Sequence, residues 1–142
     1  MNTRISLDRV RAIFNAMGRD SLHLVDEIYS PTVLFVDPFH RIEGRPALRE
    51  YYRKMYADVQ SIRFDFSGET AAADDVVLYW TMTYSHPRLR GGAPISLEGC
   101  SRLAFGPDGK VVLHRDYFDA GALLYEHVPL LGRAVRFIRE RV

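Results

Sequence analysis

FVDPFHRIEGRPALREYY, residues 35–52, decides the fold. Phe35 and Val36 close an apolar run, TVLFV over 32–36, that reads as a short strand. Asp37-Pro38 stops that strand, and His40 follows three residues on. Arg45-Pro46 then opens a helix, with proline tolerated in its first turn. Leu48, Tyr51, Tyr52, Met55 and Tyr56 recur at spacings of three and four and give the helix one apolar face. A strand therefore passes through a polar turn into a helix. Asp37 and His40 stand where the strand ends, which is either a surface turn or the rim or floor of a pocket.

On the N-terminal side, residues 6–18 read as a helix. Ser6 can cap it, Leu7, Val10, Ile13, Phe14 and Met17 form its stripe, and Gly18 ends it. A second helix, about 21–29, places Leu22, Val25, Ile28 and Tyr29 inward, and Pro31 closes it. On the C-terminal side the period changes from helical to alternating. Residues 61–72, 76–86, 95–105 and 110–118 read as four long strands, separated by Ala73-Asp74-Asp75, PRLRGGAP and GPDG. Short connections make them an antiparallel meander. Asp119 can cap a helical segment from about 120, and Pro129 and Gly132 interrupt it before a final basic helix, the tail spanning about 129–142. Helices followed by a curved antiparallel sheet make an α+β domain, with three helices packed in the concave face of a cone and a helical tail.

The chain has 142 residues, 47% of them hydrophobic and 26% charged, enough for a single globular domain with one core. A net charge of +1 gives no electrostatic reason to bind nucleic acid. No apolar run reaches the roughly 20 residues of a membrane span. The N-terminal stretch has no apolar segment of the secretory type, and Cys100 is the one cysteine, so a reducing, cytoplasmic setting is expected.

FVDPFHRIEGRPALREYY, the strand LYWTMTYSH (78–86) and HRDYFD (114–119) resemble the nuclear-transport-factor-two-like fold, in its SnoaL-like and ketosteroid-isomerase-like branch. The resemblance covers roughly residues 6–127. It implies a cone with a ligand cavity and a homodimer formed through the sheet, on a fold that hosts enzymes and non-enzymes alike. Ketosteroid isomerases carry their general-base aspartate in a matching Asp-Pro motif, which falls on Asp37. Their oxyanion-hole tyrosine falls near Ala12 and their protonated aspartate near Ser101, so that pair of donors is missing and steroid isomerisation is not expected. His40, Tyr84 or His114 are the residues that could replace it. HRDYFD resembles a run in limonene-epoxide hydrolases whose aspartate falls on Asp116, and SnoaL-type cyclases have an acid/base aspartate on the corresponding strand. The Arg-x-Asp pair that those hydrolases also use is absent from YWTMTYSH.

Strand alternation supplies a face for each side chain. Val112, His114, Asp116 and Phe118 share one face of the last strand. Leu78, Trp80, Met82, Tyr84 and His86 go with Leu97, Gly99, Ser101, Leu103 and Phe105 toward the helices. Tyr79, Thr81, Thr83, Glu98, Cys100, Arg102, Arg115 and Tyr117 take the other face, half polar, which suits a sheet-to-sheet dimer. Cys100 reads as a small packing residue.

The inward set is a small-ligand pocket for a hydrophobic molecule with one or two oxygens. Its catalytic candidates are Asp37, Asp116, His40, His114 and Tyr84. Its ligand-contacting candidates are Phe14, Phe35, Tyr52, Trp80, Met82, Ser101, Phe105 and Phe118. The expected activity is cofactor-independent acid/base chemistry of isomerase, cyclase or hydratase type on a carbonyl- or epoxide-bearing compound. The competing reading is a non-catalytic module that binds a ligand or a partner protein, with both aspartates serving as hydrogen-bond acceptors. Asp37, His40, His114 and Asp116 include metal-ligand types, but no dense ligand motif accompanies them and no metal is expected. His114-Arg115-Asp116 also matches a protein-kinase tripeptide, without the Gly-rich loop or lysine strand that chemistry needs.

The tail sets Leu131, Ala134, Val135 and Ile138 against Arg133, Arg136, Arg139 and Arg141. It reads as a helix packed over the mouth of the cone with its charged side solvated. A lid, a partner contact and an anionic membrane surface are the alternatives, and membrane contact is not the expected one.

Overall fold

The structure, a computed structural model, describes residues 4–142. Helix α1 (Leu7–Ala16) begins where expected: the Ser6 hydroxyl oxygen accepts the Arg9 N–H, and Val10, Ile13 and Phe14 are buried. It ends at Met17, in extended backbone, one residue before the expected stop at Gly18. Helix α2 is shorter than expected, Leu24–Ile28, because Tyr29 leaves the helix and starts strand β1 (Tyr29–Val36). After the Asp-Pro turn, β2 (Arg41–Glu43) folds back on β1 as a short hairpin. Helix α3 (Arg45–Asp58) follows, with Pro46 in its first turn. Gly44, which precedes it, has φ +88°, a conformation that a side chain at this position would strain.

Strands β3 (Ser61–Ala72), β4 (Asp75–Ser85), β5 (Ile95–Phe105) and β6 (Val111–Phe118) form the meander. Helix α4 (Ala120–Leu123), a 3₁₀ turn at Tyr125–His127 and helix α5 (Leu131–Arg139) complete the chain. Asp119 caps α4 as expected, accepting the Gly121 and Ala122 N–H groups.

The strands make one curved, unclosed sheet in the order β2-β1-β6-β5-β4-β3. It is mixed rather than wholly antiparallel. β1 lies parallel to β6, pairing Phe35 with His114. Hydrophobic period identifies a strand but not its neighbour, so this pairing is a tertiary result. A bulge at the start of β6 matches Phe105 with Val111 and Ala104 with Leu113, leaving Val112 unmatched. The bulge turns Val111 inward in place of the expected Val112, while His114, Asp116 and Phe118 keep the inner face.

Helices α1, α2 and α3 cover the concave side. Val10, Ile13, Val25, Ile28, Leu48, Val33, Leu78 and Leu103 are wholly buried in this core. Polar ties set the helix positions. Asn15 clamps the free edge of β3, donating to the Phe64 carbonyl at 3.0 Å and accepting its N–H at 2.8 Å. Asp26 pairs with Arg45 at 3.2 Å and with Arg49, which fastens α2 to α3. Among the described residues no helix is long and apolar enough to cross a membrane.

The tail departs from expectation. Within α5 only Gly132 is buried, and the helix packs on the 3₁₀ turn rather than over the cone.

Candidate active site

A cavity of about 480 Å³ lies between the sheet and helices α1 and α3. Phe14, Phe35, Tyr52, Met82 and Phe118 line it as expected, and so do Asp37, His40, Tyr84, Ser101, His114 and Asp116. Two expected wall residues stand behind it. Trp80 is covered, and its indole lies across Gly99, where an added Cβ would meet the ring at 2.4 Å. Phe105 belongs to the core at the other end of β5, under the Arg4 guanidinium. Alternation assigned both to the correct face, but it does not say how far along the sheet the cavity reaches.

The floor follows from the register. Ser101 and Asp116 are direct partners across β5 and β6, and His114 stands opposite Leu103 on one side and Phe35 on the other. Trp80 Nε1 donates to Ser101 Oγ at 2.9 Å, and Ser101 donates to Asp116 Oδ1 at 2.5 Å. His114 Nε2 meets the same oxygen at 2.7 Å. A carboxylate only accepts, so Nε2 carries the hydrogen. His114 Nδ1 then accepts the Tyr29 hydroxyl at 2.7 Å, and Tyr29 accepts from Tyr52 at 3.0 Å. The imidazole stacks between Phe14 and Tyr29, with Phe35 against its edge, so the ring cannot turn. Its side chain is 4% exposed, whereas that of Asp116 is 18% exposed. Oδ1 of Asp116 takes two hydrogen bonds, and among the described contacts Oδ2 takes none.

The rim is built differently. Asp37 Oδ1 accepts the Phe39 and His40 N–H groups, both at 2.8 Å, and meets His40 Nδ1 at 3.0 Å. This is the local turn geometry that an Asx side chain favours. Oδ2 receives the Tyr51 hydroxyl at 3.5 Å, a loose contact. Asp37 is nearly covered while His40 is 43% exposed, so His40 lies at the opening.

Burial pushes the Tyr29, Tyr51, Tyr52 and Tyr56 phenols well above their ordinary range, and for Tyr51 the nearby Asp37 and Asp116 charges add to it. These tyrosines remain O–H donors. Three expected donors are already engaged. The Tyr84 hydroxyl donates to the Leu123 carbonyl and holds α4 to the sheet. Both ring nitrogens of His114 have partners, and His40 Nδ1 has one. Tyr51 is the freer donor. It stands on the face of α3 already read as apolar, and only its proximity to Asp37 marks it as polar. The helical pattern of 21–29 gives no sign that Tyr29 joins this network; its place at the start of β1 puts it there. Phe39, Met55, Phe64, Leu123 and Leu124 also line the cavity. Loop Phe39 and α4 carried no signal that placed them there.

Among the described residues no three His, Cys, Asp or Glu side chains gather where they could hold a metal ion. Cys100 lies half-buried on β5, and burial, then the Asp116 charge, raises its thiol pKa. It is poorly placed to ionise as a nucleophile. A second, more open groove of about 670 Å³, bounded by Arg90, Glu126, Arg133 and Arg136, contains none of the site residues.

A curved open sheet wrapped around helices, with an apolar chamber inside, defines the nuclear-transport-factor-two-like class of α+β folds. The SnoaL-like domain family matches over residues 10–114, and the chain belongs to it. The match stops two residues short of Asp116. No curated protein matches the chain. Solved structures share the fold at low identity. An NTF2-like protein of unknown function from Exiguobacterium sp. 255-15 is 19% identical, with a TM-score of 0.66 over 80% of this chain and 98% of that one. An LEH-like epoxide hydrolase from M. tuberculosis is 23% identical, with a TM-score of 0.66 over 82% of each chain. A putative SnoaL-like polyketide cyclase from Jannaschia sp. CCS1 is 16% identical, with a TM-score of 0.64 over 72% of this chain and 75% of that one.

Proposed function

We propose that this protein is a cofactor-independent acid/base enzyme acting on a small hydrophobic compound that carries a carbonyl or an epoxide. The observation that carries the reading is Asp116. One of its oxygens is held by Ser101 and His114, and the other has no partner among the described residues, in a mainly apolar cavity. A carboxylate so placed is a general base with a fixed direction. Oδ2 takes a proton from a carbon beside the carbonyl, or from a water whose oxygen bonds to an epoxide carbon as the ring C–O bond breaks, and the protonated Asp116 then returns that proton to the enolate or to the new alkoxide. Tyr51 turns from its long contact with Asp37 to the substrate oxygen and stabilises the charge that develops there. In this assignment Asp37 and His40 shape the opening. His114, Tyr29 and Ser101 are positioning residues that hold Asp116. The fold shared with an LEH-like epoxide hydrolase and a putative polyketide cyclase supports the reaction class.

The test is Asp116→Asn, screened against ketone and epoxide panels beside the parent protein. The amide oxygen still accepts from Ser101 and His114, so folding is retained. Turnover is expected to fall by about two to four orders of magnitude. A fully active variant overturns the role of Asp116. A variant that loses ligand affinity, from a parent that turns nothing over, identifies a binding module instead.

A further inference from the structure

The C-terminal helix is attached to the body by its polar side. Gly132 sits so close to the 3₁₀ turn that an added Cβ would lie 2.5 Å from the Glu126 carbonyl oxygen. Arg136 donates to that same oxygen at 2.6 Å, and Arg139 pairs with the Glu126 carboxylate. In a helix of 3.6 residues per turn, these three positions take one side. The other side carries Leu131, Ala134, Phe137 and Ile138, continuous with Leu130 before it. Leu130, Phe137 and Ile138 are 77%, 56% and 63% exposed. Half of the large apolar side chains exposed among the described residues are in this segment. A soluble helix normally buries this stripe. A contiguous apolar patch left outside marks an interaction surface.

The charges indicate what covers it. Between Leu131 and Arg139 there are three arginines and no acidic residue. Arg133 is exposed and free of ion pairs among the described residues, and the Arg141 guanidinium lies over the Phe137 ring, 4.0 Å from its centroid. Two copies of this helix face to face would bring their arginines together, with Glu140 just past each helix as the one acid to set against them. The outer face of the sheet sets its exposed Tyr79 and Tyr117 among Thr81, Glu98, Arg102 and Arg115, a half-polar surface that matches the stripe poorly. An anionic lipid surface satisfies both halves. Its acyl boundary takes the apolar side chains, and its headgroups take arginines whose aliphatic stems lie along the interface.

We propose that α5 is a membrane-surface anchor that lies flat in the headgroup layer of an anionic bilayer, with Leu130, Leu131, Phe137 and Ile138 inserted and Arg133 and Arg141 on the phosphates. This reverses the expectation for the tail, because that expectation placed the apolar stripe against the cone. The anchor is independent of the chemistry in the cavity.

The experiment is co-sedimentation of the full chain with phosphatidylcholine vesicles, with and without phosphatidylglycerol, at low and high salt. The chain is expected to sediment with the anionic vesicles and to be released by salt. Phe137→Ser with Ile138→Ser should abolish binding. Arg133→Gln with Arg141→Gln should weaken it by about fivefold per arginine. All four residues are exposed, so circular dichroism and melting should stay as in the parent. No sedimentation with anionic vesicles overturns the proposal. So does binding that survives Phe137→Ser with Ile138→Ser. A dimer that the same pair of substitutions dissociates also overturns it, and assigns the patch to a second copy.

Discussion

At the scale of single residues, the two aspartates differ by what surrounds them. Asp37 and Asp116 look alike in sequence, each at the end of a strand-like run. Asp37 is consumed by its own turn, with two backbone N–H groups on one oxygen. Asp116 is gripped through one oxygen by neighbours from β5 and β6 and keeps the other. Alternation put Ser101, His114 and Asp116 on one face, but it could not say which hydroxyl donates to which acceptor. The buried tyrosines carry a pH prediction. Tyr29, Tyr51, Tyr52 and Tyr56 hold their protons above the ordinary phenol value of 10.0, chiefly because burial penalises the charged form. Above about pH 10 the unfolded chain releases these protons while the folded chain keeps them. The unfolded state then binds fewer protons, so stability falls as pH rises. Urea melts at about pH 8, 10 and 11 should show a declining midpoint. The tyrosinate absorbance of these four residues should appear together with unfolding. A midpoint that holds steady through this window would contradict the burial assigned to them.

At the scale of elements, close approach matters more than period. A glycine inside a strand ordinarily weakens it, yet the structure needs Gly99: a Cβ there would stand 2.4 Å from the Trp80 ring and 2.7 Å from the Tyr117 carbonyl oxygen. The absent side chain lets the indole cross the strand and reach Ser101. Gly99→Ala should therefore destabilise the protein by about 1–3 kcal/mol and loosen the Ser101–Asp116 contact. A denaturant melt gives the first quantity and the tryptophan fluorescence maximum reports the second. An alanine variant as stable as the parent, with unchanged emission, would show that Trp80 does not depend on this glycine. The bulge at Val112 works in the same way. It restores the inward direction of His114 and Asp116 after the GPDG turn, and no residue type in the sequence announces it.

At the scale of the whole molecule, the outer face of the sheet offers the surface for the expected dimer. Tyr79 and Tyr117 are 41% and 45% exposed there, and the half-buried Cys100 pairs across the strands with both. We expect a homodimer through this face, with Tyr117→Asp shifting it to monomer on size-exclusion chromatography at low micromolar concentration. The substitutions in α5 should leave that dimer intact. A parent chain that elutes as a monomer at all concentrations would remove the sheet interface.

What the sequence determined by itself was the set of elements and the face of most side chains on them. Those follow from local rules: the 3.6 period of α1 and α3, the alternation of β3 to β6, the Asp-Pro stop and the turns between strands. It also determined the cavity's character, because an inward face of phenylalanine and tyrosine with a few acids is apolar however it packs. Tertiary structure alone decided that β1 lies parallel to β6, that Tyr29 completes the chain from Tyr52 to Asp116, and that Trp80 and Phe105 stand behind the wall. It alone turned the apolar stripe of α5 outward. Each of these depends on which distant segment arrives as a neighbour. That choice is settled by the packing of the whole chain, and periodicity along a single element carries no record of it.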